Sequence, residues 1–168
     1  MPYASPKILS TSLTRRSALT LLPVMFVVGS KQAFAENLSQ HGIELINRER
    51  LNSGLSPLSY SQKLTQAAQN FSNVLAQSTT FSHYADGSDL IGRAGSVNYR
   101  YQTLAENIGW IGSQDQRAAQ IEALTNRWMA SDGHRKNILN PKVTEVGIGL
   151  TRAGSKLFGV QIFARPLE

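Results

Sequence analysis

Apolar residues recur at three- and four-residue spacing in two stretches near the start of the chain, and this spacing predicts two amphipathic helices. The first helix is predicted to begin at Ser39, whose side chain suits an N-cap, and to end near Leu51 before Asn52-Ser53-Gly54. The second begins after Ser61 and ends near Gln77. Its apolar positions form the clearest helical stripe in the sequence: Leu64, Ala67, Ala68, Phe71, Val74 and Leu75.

A third helix is predicted to begin at Ser113 or Asp115, with Trp128 on its apolar side as a core residue. Asp132-Gly133 ends this helix, and a short helix follows to Leu139. Both helices precede the strands that close the chain.

Strands are predicted where the apolar period changes from about 3.6 residues to two. One strand covers Leu104 to Ile111. Two more, Glu145 to Thr151 and Leu157 to Ala164, are joined by a hairpin connection at 152–155. The segment 78–97 shows little periodicity and is predicted as a loop. Because helices come first and a hairpin comes last, the predicted fold class is α+β.

Residues 1–35 have the three regions of an export signal. The pair Arg15-Arg16 lies in a basic n-region, an apolar stretch runs from Ala18 to Val28, and Ala33-Phe34-Ala35 places small residues where a signal peptidase cuts. The apolar stretch is shorter than the ~20 residues that a transmembrane helix needs, although an uncleaved signal would still tether the chain. We therefore expect an exported protein, periplasmic or extracellular, whose mature part is one domain at 36–168 with no transmembrane segment.

The export route has two readings. The segment Thr14–Thr20 resembles the twin-arginine consensus, although Ala18 and Thr20 stand where that consensus has Phe and Lys. Lys31 resembles the basic residue that such signals often carry before the cleavage site. Paired arginines also occur by chance in general secretory signals, so the general route stays open beside the favoured twin-arginine route.

The charge of the mature chain argues against a nucleic-acid partner. The whole chain has 17 basic and 11 acidic residues, but four basic residues and no acidic residue fall within 1–35. The mature part therefore carries 13 basic and 11 acidic residues, and a net charge of +2 gives no case for a phosphate-binding surface. The chain has no cysteine, so the exported domain must be held by its core alone.

Chemistry-bearing side chains are few. The chain has three histidines, of which His41 lies among polar neighbours and is predicted to be a solvated surface residue. His83 and His134 lie in more distinctive surroundings. Between them, Glu106 is a carboxylate inside an apolar, strand-like run, where burial is costly without a cation, a hydrogen bond or a metal.

Seven short segments stand out along the mature chain: Asn47–Arg50, Gly54–Leu58, Phe81–His83, Glu106–Ile108, Trp128–Met129, Gly133–Leu139 and Glu145–Gly149. Each alone is a weak pattern. Together and in this order they resemble the CAP superfamily of cysteine-rich secretory, antigen 5 and pathogenesis-related 1 proteins, in its cysteine-free bacterial SCP-like branch. The resemblance covers roughly Ile43 to Pro166.

The resemblance implies an α–β–α sandwich, with a small antiparallel sheet between helical layers. It also implies a surface cleft whose floor carries two histidines and two acidic residues. Matched by motif, the histidines are His83 and His134, and the first acid is Glu106. Eukaryotic members have the second acid where this chain has Ser131, beside Asp132, so the implied set is incomplete. Both of these residues are predicted to line the cleft.

Two roles for the cluster of His83, Glu106 and His134 stay open. Two imidazoles and a carboxylate are a reasonable ligand set for a divalent metal such as Zn²⁺, with water completing the shell. Alternatively, Glu106 accepts hydrogen bonds from one or both histidines and ties the 78–97 loop to the helices.

The neighbouring residues are predicted to be mainly structural. Asn107, counted as cleft-lining, and Asn137 are expected to bond to loop backbone, a role that suits Asn. Arg93 either pairs with an acid under the cleft or is solvated. Gly147 and Gly149 inside a strand indicate that another backbone approaches closely.

No nucleophile is identifiable, because no serine lies in a nucleophile elbow and cysteine is absent. The resemblance implies a secreted scaffold, and the leading hypothesis is a non-enzymatic binding module whose ligand is a lipid, a glycan or a surface protein of the cell envelope. The alternative is a metal-dependent hydrolase that uses His83, Glu106 and His134. A purely structural envelope protein is the third hypothesis.

Overall fold

The computed structural model describes residues 24–112 and 117–167. These residues form five helices and four strands. In chain order the elements are α1 (Val24–Asn52), β1 (Ser59–Tyr60), α2 (Gln62–Gln77), α3 (Leu90–Ser96), β2 (Tyr101–Gly112), α4 (Arg117–Ala130), α5 (Asp132–Ile138), β3 (Glu145–Ala153) and β4 (Lys156–Pro166).

The four strands form one mixed sheet in the order β1-β3-β4-β2. Strand β4 pairs antiparallel with both β3 and β2, and the short β1 runs parallel to β3. The predicted hairpin is confirmed, but its strands are longer than expected. Arg152 and Ala153 continue the ladder by pairing with Leu157 and Lys156, so the turn is confined to Gly154 and its neighbour, with Gly154 at φ +57°.

Helices cover both faces of the sheet, which confirms the predicted α–β–α sandwich. Alternate residues of each strand point to opposite faces, so the sheet contributes to two separate cores. One core lies beneath α1, α4 and α5 and includes Ile46, Leu124, Trp128, Ile148 and Phe163. The other lies beneath α2 and α3 and includes Leu64, Phe71, Ile108, Val160 and Ile162.

Helix α2 packs directly on the backbone of β3 at two glycines. A Cβ on Gly147 would lie 2.1 Å from the backbone nitrogen of Thr65, and one on Gly149 would lie 2.2 Å from the carbonyl carbon of Ala68. The predicted close approach is therefore confirmed. The absence of side chains at these two positions sets the distance between the helix and the sheet.

The start of the first helix was predicted wrongly. Ser39 is not its N-cap; it is a buried residue inside α1, whose backbone is helical from Val24. No proline interrupts residues 24–38, so nothing in the local sequence ends the helix before Ser39. Arg15-Arg16 and the apolar stretch up to residue 23 lie outside the described residues, and the export signal stays a prediction.

Two elements were not predicted. Helix α3 lies within the segment expected to be a loop, and Asp89 caps it by accepting a hydrogen bond from the Gly92 backbone N–H at 2.8 Å. Strand β1 has only two residues, too few to show a period of two. Within the described residues, no helix is both long enough and apolar enough to span a bilayer.

The contact between α2 and β3 predicts that Gly149→Ala is strongly destabilising, because the added Cβ meets backbone atoms that no side-chain rotation can move away. We expect a loss of about 3 kcal/mol in the free energy of unfolding. The matched control is Gly95→Ala in α3, where a Cβ meets nothing within 4 Å. Urea unfolding of both variants checks this, and equal stability of the two would contradict it.

Candidate functional site

The buried carboxylate of Glu106 is the centre of the site. Glu106 lies on β2, on the sheet face that α2 and α3 cover, and only 8 % of the residue is exposed. Arg93 of α3 meets it in a bidentate ion pair: Nε donates to Oε2 at 3.1 Å and Nη2 donates to Oε1 at 2.9 Å. Arg93 was predicted either to pair with an acid or to be solvated. The structure shows the ion pair, and only 5 % of Arg93 is exposed.

Arg93 also organises the segment around it. Nη1 donates to both carboxylate oxygens of Asp86, at 3.0 and 3.2 Å, and to the Ser88 carbonyl at 3.2 Å. Nη2 donates to the His83 carbonyl at 3.0 Å, and the guanidinium carbon lies 3.7 Å from the centre of the Phe71 ring. One side chain thus ties the segment 78–97 to both β2 and α2.

His83 projects from this segment toward Glu106. Its Nδ1 lies 2.7 Å from Glu106 Oε1, so the predicted hydrogen bond between an imidazole and this carboxylate is confirmed for His83. Because a carboxylate accepts, Nδ1 carries the hydrogen in this contact and Nε2 is the nitrogen left for other partners. The His83 side chain is 49 % exposed, which allows a ligand to reach it.

His134 lies on α5, on the other side of the β2 edge. Burial lowers the pKa of His134, and the neighbouring His83 and Arg127 lower it further. Near neutral pH the His134 imidazole is therefore uncharged.

Two asparagines fasten α5 to β2. Asn107 Nδ2 donates to the His134 carbonyl at 3.1 Å, and Asn137 Nδ2 donates to the Glu106 carbonyl at 3.1 Å. The two side chains also bond to each other, Asn137 Nδ2 to Asn107 Oδ1 at 2.8 Å. Both asparagines bond to backbone, but the acceptors lie in α5 and β2 and not in a loop as predicted.

Two of the three residues predicted to line the cleft have other surroundings. Asn107 is fully buried, because it follows Glu106 in the strand and so points to the opposite face of the sheet. Asp132 is turned to solvent, where its carboxylate accepts from Arg135 Nη2 at 2.5 Å. Ser131 does line a surface depression, which it shares with His134.

Two depressions of about 300 Å³ each flank the site. We name them by their histidines. Residues that line the His83 depression include His83, Tyr84, Leu90, Ile91, Arg93 and Glu106. Residues that line the His134 depression include Phe81, Ile108, Trp110, Arg127, Ser131 and His134.

Sequence reasoning missed the aromatic and basic residues of these depressions. Tyr84 follows His83 directly in the chain, and Arg127 precedes the core residue Trp128. Their proximity to the motif residues was the available signal. A polar residue beside a motif is common, however, and only the folded chain shows that Tyr84 lines the His83 depression and Arg127 lines the His134 depression.

The residues present do not fit a metal centre. Among the described residues, no group of three or more His, Cys, Asp or Glu side chains is arranged to hold a metal ion. Both carboxylate oxygens of Glu106 are engaged by the Arg93 guanidinium, whose positive charge would also repel a bound cation. The zinc interpretation of His83, Glu106 and His134 therefore gains no support from the geometry.

His41 is less solvated than predicted. Its side chain is 34 % exposed and lies between Glu44 on α1 and Glu122 on α4, at 3.7 and 3.5 Å. It is remote in the chain from the site residues, and it braces two helices rather than contributing to the depressions.

Removing the positive charge of Arg93 should be costly. Arg93→Met leaves the buried Glu106 carboxylate without a cation, and we expect the free energy of unfolding to fall by about 3–5 kcal/mol. Arg100→Met, at an exposed arginine, should change it by less than about 0.5 kcal/mol. Thermal and urea unfolding measure both, and similar losses in the two variants would contradict the structural role of the pair.

The lowered pKa of His134 predicts acid sensitivity. The unfolded chain binds a proton at this residue near its ordinary pKa of 6.5, whereas the folded chain binds it only at lower pH. Stability is therefore full above about pH 6.5 and falls as the pH drops below that value. Between pH 7.5 and pH 5.5, the free energy of unfolding of His134→Gln should fall by less than that of the unmodified protein. An equal fall in both would argue against a buried neutral imidazole.

Comparison with known proteins matches the chain to a family. The family described as CAP, cysteine-rich secretory protein family, matches residues 43–163. The uncharacterized protein YkwD of Bacillus subtilis is 35 % identical over 117 residues, which are 67 % of this chain and 42 % of that protein. The uncharacterized membrane protein YlbC of the same organism is 29 % identical over 111 residues, or 66 % of this chain and 30 % of that one. The chain thus spans less than half the length of these curated relatives.

Solved structures agree with this comparison. An extracellular protein containing an SCP domain, from Bacillus anthracis, superimposes with a TM-score of 0.68 at 25 % identity, over 89 % of this chain and 45 % of that one. An outer surface protein of Borrelia burgdorferi shares the fold, with a TM-score of 0.65 at 16 % identity, over 74 % of this chain and 90 % of that one. The match covers most of the described domain, and the chain therefore belongs to the CAP, or cysteine-rich secretory protein, family.

Proposed function

We propose that this chain is an exported CAP domain that acts as a non-enzymatic binding module of the cell envelope or the extracellular space. The observation that carries the proposal is the state of Glu106. Its carboxylate is fully engaged, by the Arg93 guanidinium at both oxygens and by His83 at one. A carboxylate held in this way shapes a site, but it has little capacity left to take a proton from water or to ligate a metal.

The relatives support the location. One solved relative is an extracellular protein and another is an outer surface protein, both bacterial. The predicted signal in residues 1–35 would give this chain the same destination. An envelope lipid, glycan or surface protein is then the ligand that such a domain encounters.

The surface around the site has the character of a binding surface. Tyr84 is 68 % exposed, Ile91 is 61 % exposed and Phe81 is 43 % exposed, and all three contribute to the depressions. Sites for small ligands combine such apolar walls with a few fixed polar groups. Here Arg93, Glu106 and the histidines provide the polar groups.

The second candidate, a metal-dependent hydrolase, would use His83, Glu106 and His134. Catalytic zinc usually has three protein ligands and one open position. Glu106 would be the third metal ligand, but Arg93 already neutralises it. The three residues therefore favour binding over hydrolysis.

The proposed function predicts saturable binding to envelope fractions of the host. The protein, purified after export from its host, is titrated with isolated membranes and cell-wall material. Ile91→Ser, at the His83 depression, should weaken binding severalfold by removing apolar contact area. Leu51→Ser is the matched control, since Leu51 is 60 % exposed but lies on α1.

Three results would contradict the proposal. The first two are the absence of saturable binding and equal binding by both variants. The third is stoichiometric zinc, measured by elemental mass spectrometry, that is lost in His83→Ala with His134→Ala. The zinc result would favour the hydrolase instead.

A further inference from the structure

Strand β2 lies at the edge of the described sheet, and three of its outward carbonyl groups are occupied by side chains. Asn137 donates to the Glu106 carbonyl at 3.1 Å, as noted above. Trp128 Nε1 donates to the Ile108 carbonyl, and Arg127 Nη1 donates to the Trp110 carbonyl, each at 3.2 Å. Three alternate carbonyls along one edge are thus bonded to α4 and α5.

The N–H groups of the same residues point the same way. In an antiparallel strand the N–H and C=O of one residue lie on one side, so the N–H groups of Ile108 and Trp110 also face away from β4. Within the described part of the chain, neither donates to a backbone oxygen outside the sheet. An added strand needs both donors and acceptors, and among the described groups of Ile108 and Trp110 only the donors remain. This edge therefore suits a ligand that brings acceptors.

The two residues that carry these donors also line the His134 depression. Ile108 and Trp110 line it together with Arg127, Ser131 and His134, and no described carboxylate is among its lining residues. Among the described residues of its wall, the one formal charge near neutral pH is the guanidinium of Arg127. A single positive charge, within walls that are otherwise apolar or neutral, matches a ligand group with one negative charge.

Arg127 is held in place for this role. Besides its hydrogen bond to the Trp110 carbonyl, its guanidinium carbon lies 5.9 Å from the centre of the Trp110 ring. Lys156 also packs on this ring, with Nζ 4.3 Å from its centre, but it is not among the described residues that line the depression. No described carboxylate lies within ion-pair distance of Arg127, and its positive charge acts on His134, whose pKa it helps to lower.

We propose that the His134 depression binds a carboxylate group of the kind found at the C-terminal end of a peptide. Arg127 and the Trp110 N–H hold the carboxylate. The Ile108 N–H, about 7 Å further along the strand, donates to an amide carbonyl of the same ligand. This assignment rests on the proposed function, and it names the ligand class of that site.

Ser131 makes this polarity possible. It stands at the position where the family resemblance implies a second acid, and it lines the depression as a neutral hydroxyl. A carboxylate there would repel an anionic ligand. Ser131 is also the N-cap of α5 without a side-chain capping bond, so Asp and Asn, both good N-caps, can replace it without harm to the helix.

The experiment uses the exported protein with N-acetylglycine, its neutral amide and inorganic phosphate as probes. N-acetylglycine should bind saturably in a calorimetric titration and should raise the pKa of His134, followed by NMR of the imidazole, because a nearby anion favours the imidazolium form. The amide should do neither. Phosphate should bind more weakly, since one guanidinium does not balance its second charge.

Variants locate the site. Arg127→Gln should weaken N-acetylglycine binding about tenfold, the worth of one charge-assisted hydrogen bond. Arg165→Gln, an exposed arginine at the other end of β4, should not change it. Ser131→Asp should bind about tenfold more weakly than Ser131→Asn, which differs from it only in charge.

Four results would overturn the carboxylate site: no binding of N-acetylglycine, equal binding of the amide, tighter binding of phosphate, or equal binding by the two Ser131 variants. Failure of the proposed function looks different. If N-acetylglycine binds but envelope fractions do not, the binding-module proposal fails and the carboxylate site stands. If envelope binding persists while N-acetylglycine does not bind, only the carboxylate site fails.

Discussion

The ion pair between Arg93 and Glu106 is the interaction on which the site depends. A carboxylate within an apolar strand, 8 % exposed, is costly to desolvate, and the bidentate guanidinium compensates for that cost. Arg93 reaches Asp86, the His83 carbonyl and the Phe71 ring from the same position. The pair therefore fixes the segment 78–97, which includes α3, against the sheet, and it orients the imidazole of His83.

The same pair gives the site its chemical character. Because the Arg93 guanidinium neutralises Glu106, the cluster of His83, Glu106 and His134 does not act as an exposed negative centre that attracts a cation. On the other side of the β2 edge, Ser131 contributes no charge and Arg127 contributes a positive one. The surface therefore has two depressions of similar volume but different polarity. The His83 depression lies beside a balanced ion pair, and the His134 depression has an excess of hydrogen-bond donors.

The edge of β2 explains why these features coincide. It is where the two helical layers meet, so α3 reaches it from one face and α5 from the other. Asn107 and Asn137 bond the strand to α5, and Trp128 and Arg127 occupy its next outward carbonyls. An edge that would otherwise pair with another strand is closed to that use, and its remaining N–H groups become part of a ligand site.

Periodicity alone determined the strongly amphipathic elements of this protein. Helix α2 and the β3–β4 hairpin were predicted because burial of one face leaves a period of 3.6 or two residues in the sequence. The motif residues His83, Glu106 and His134 were also found in advance, since their residue types and order carry the family resemblance. The start of α1 and the existence of α3 were not predicted, because a continuing helix and a seven-residue helix leave no distinct apolar period. Only the tertiary structure decided that Arg93 is buried against Glu106, that Asn107 points away from the cleft, and that Arg127 and Ser131 line the same depression. Those outcomes depend on which face of each element meets which neighbour, and local sequence does not encode that choice.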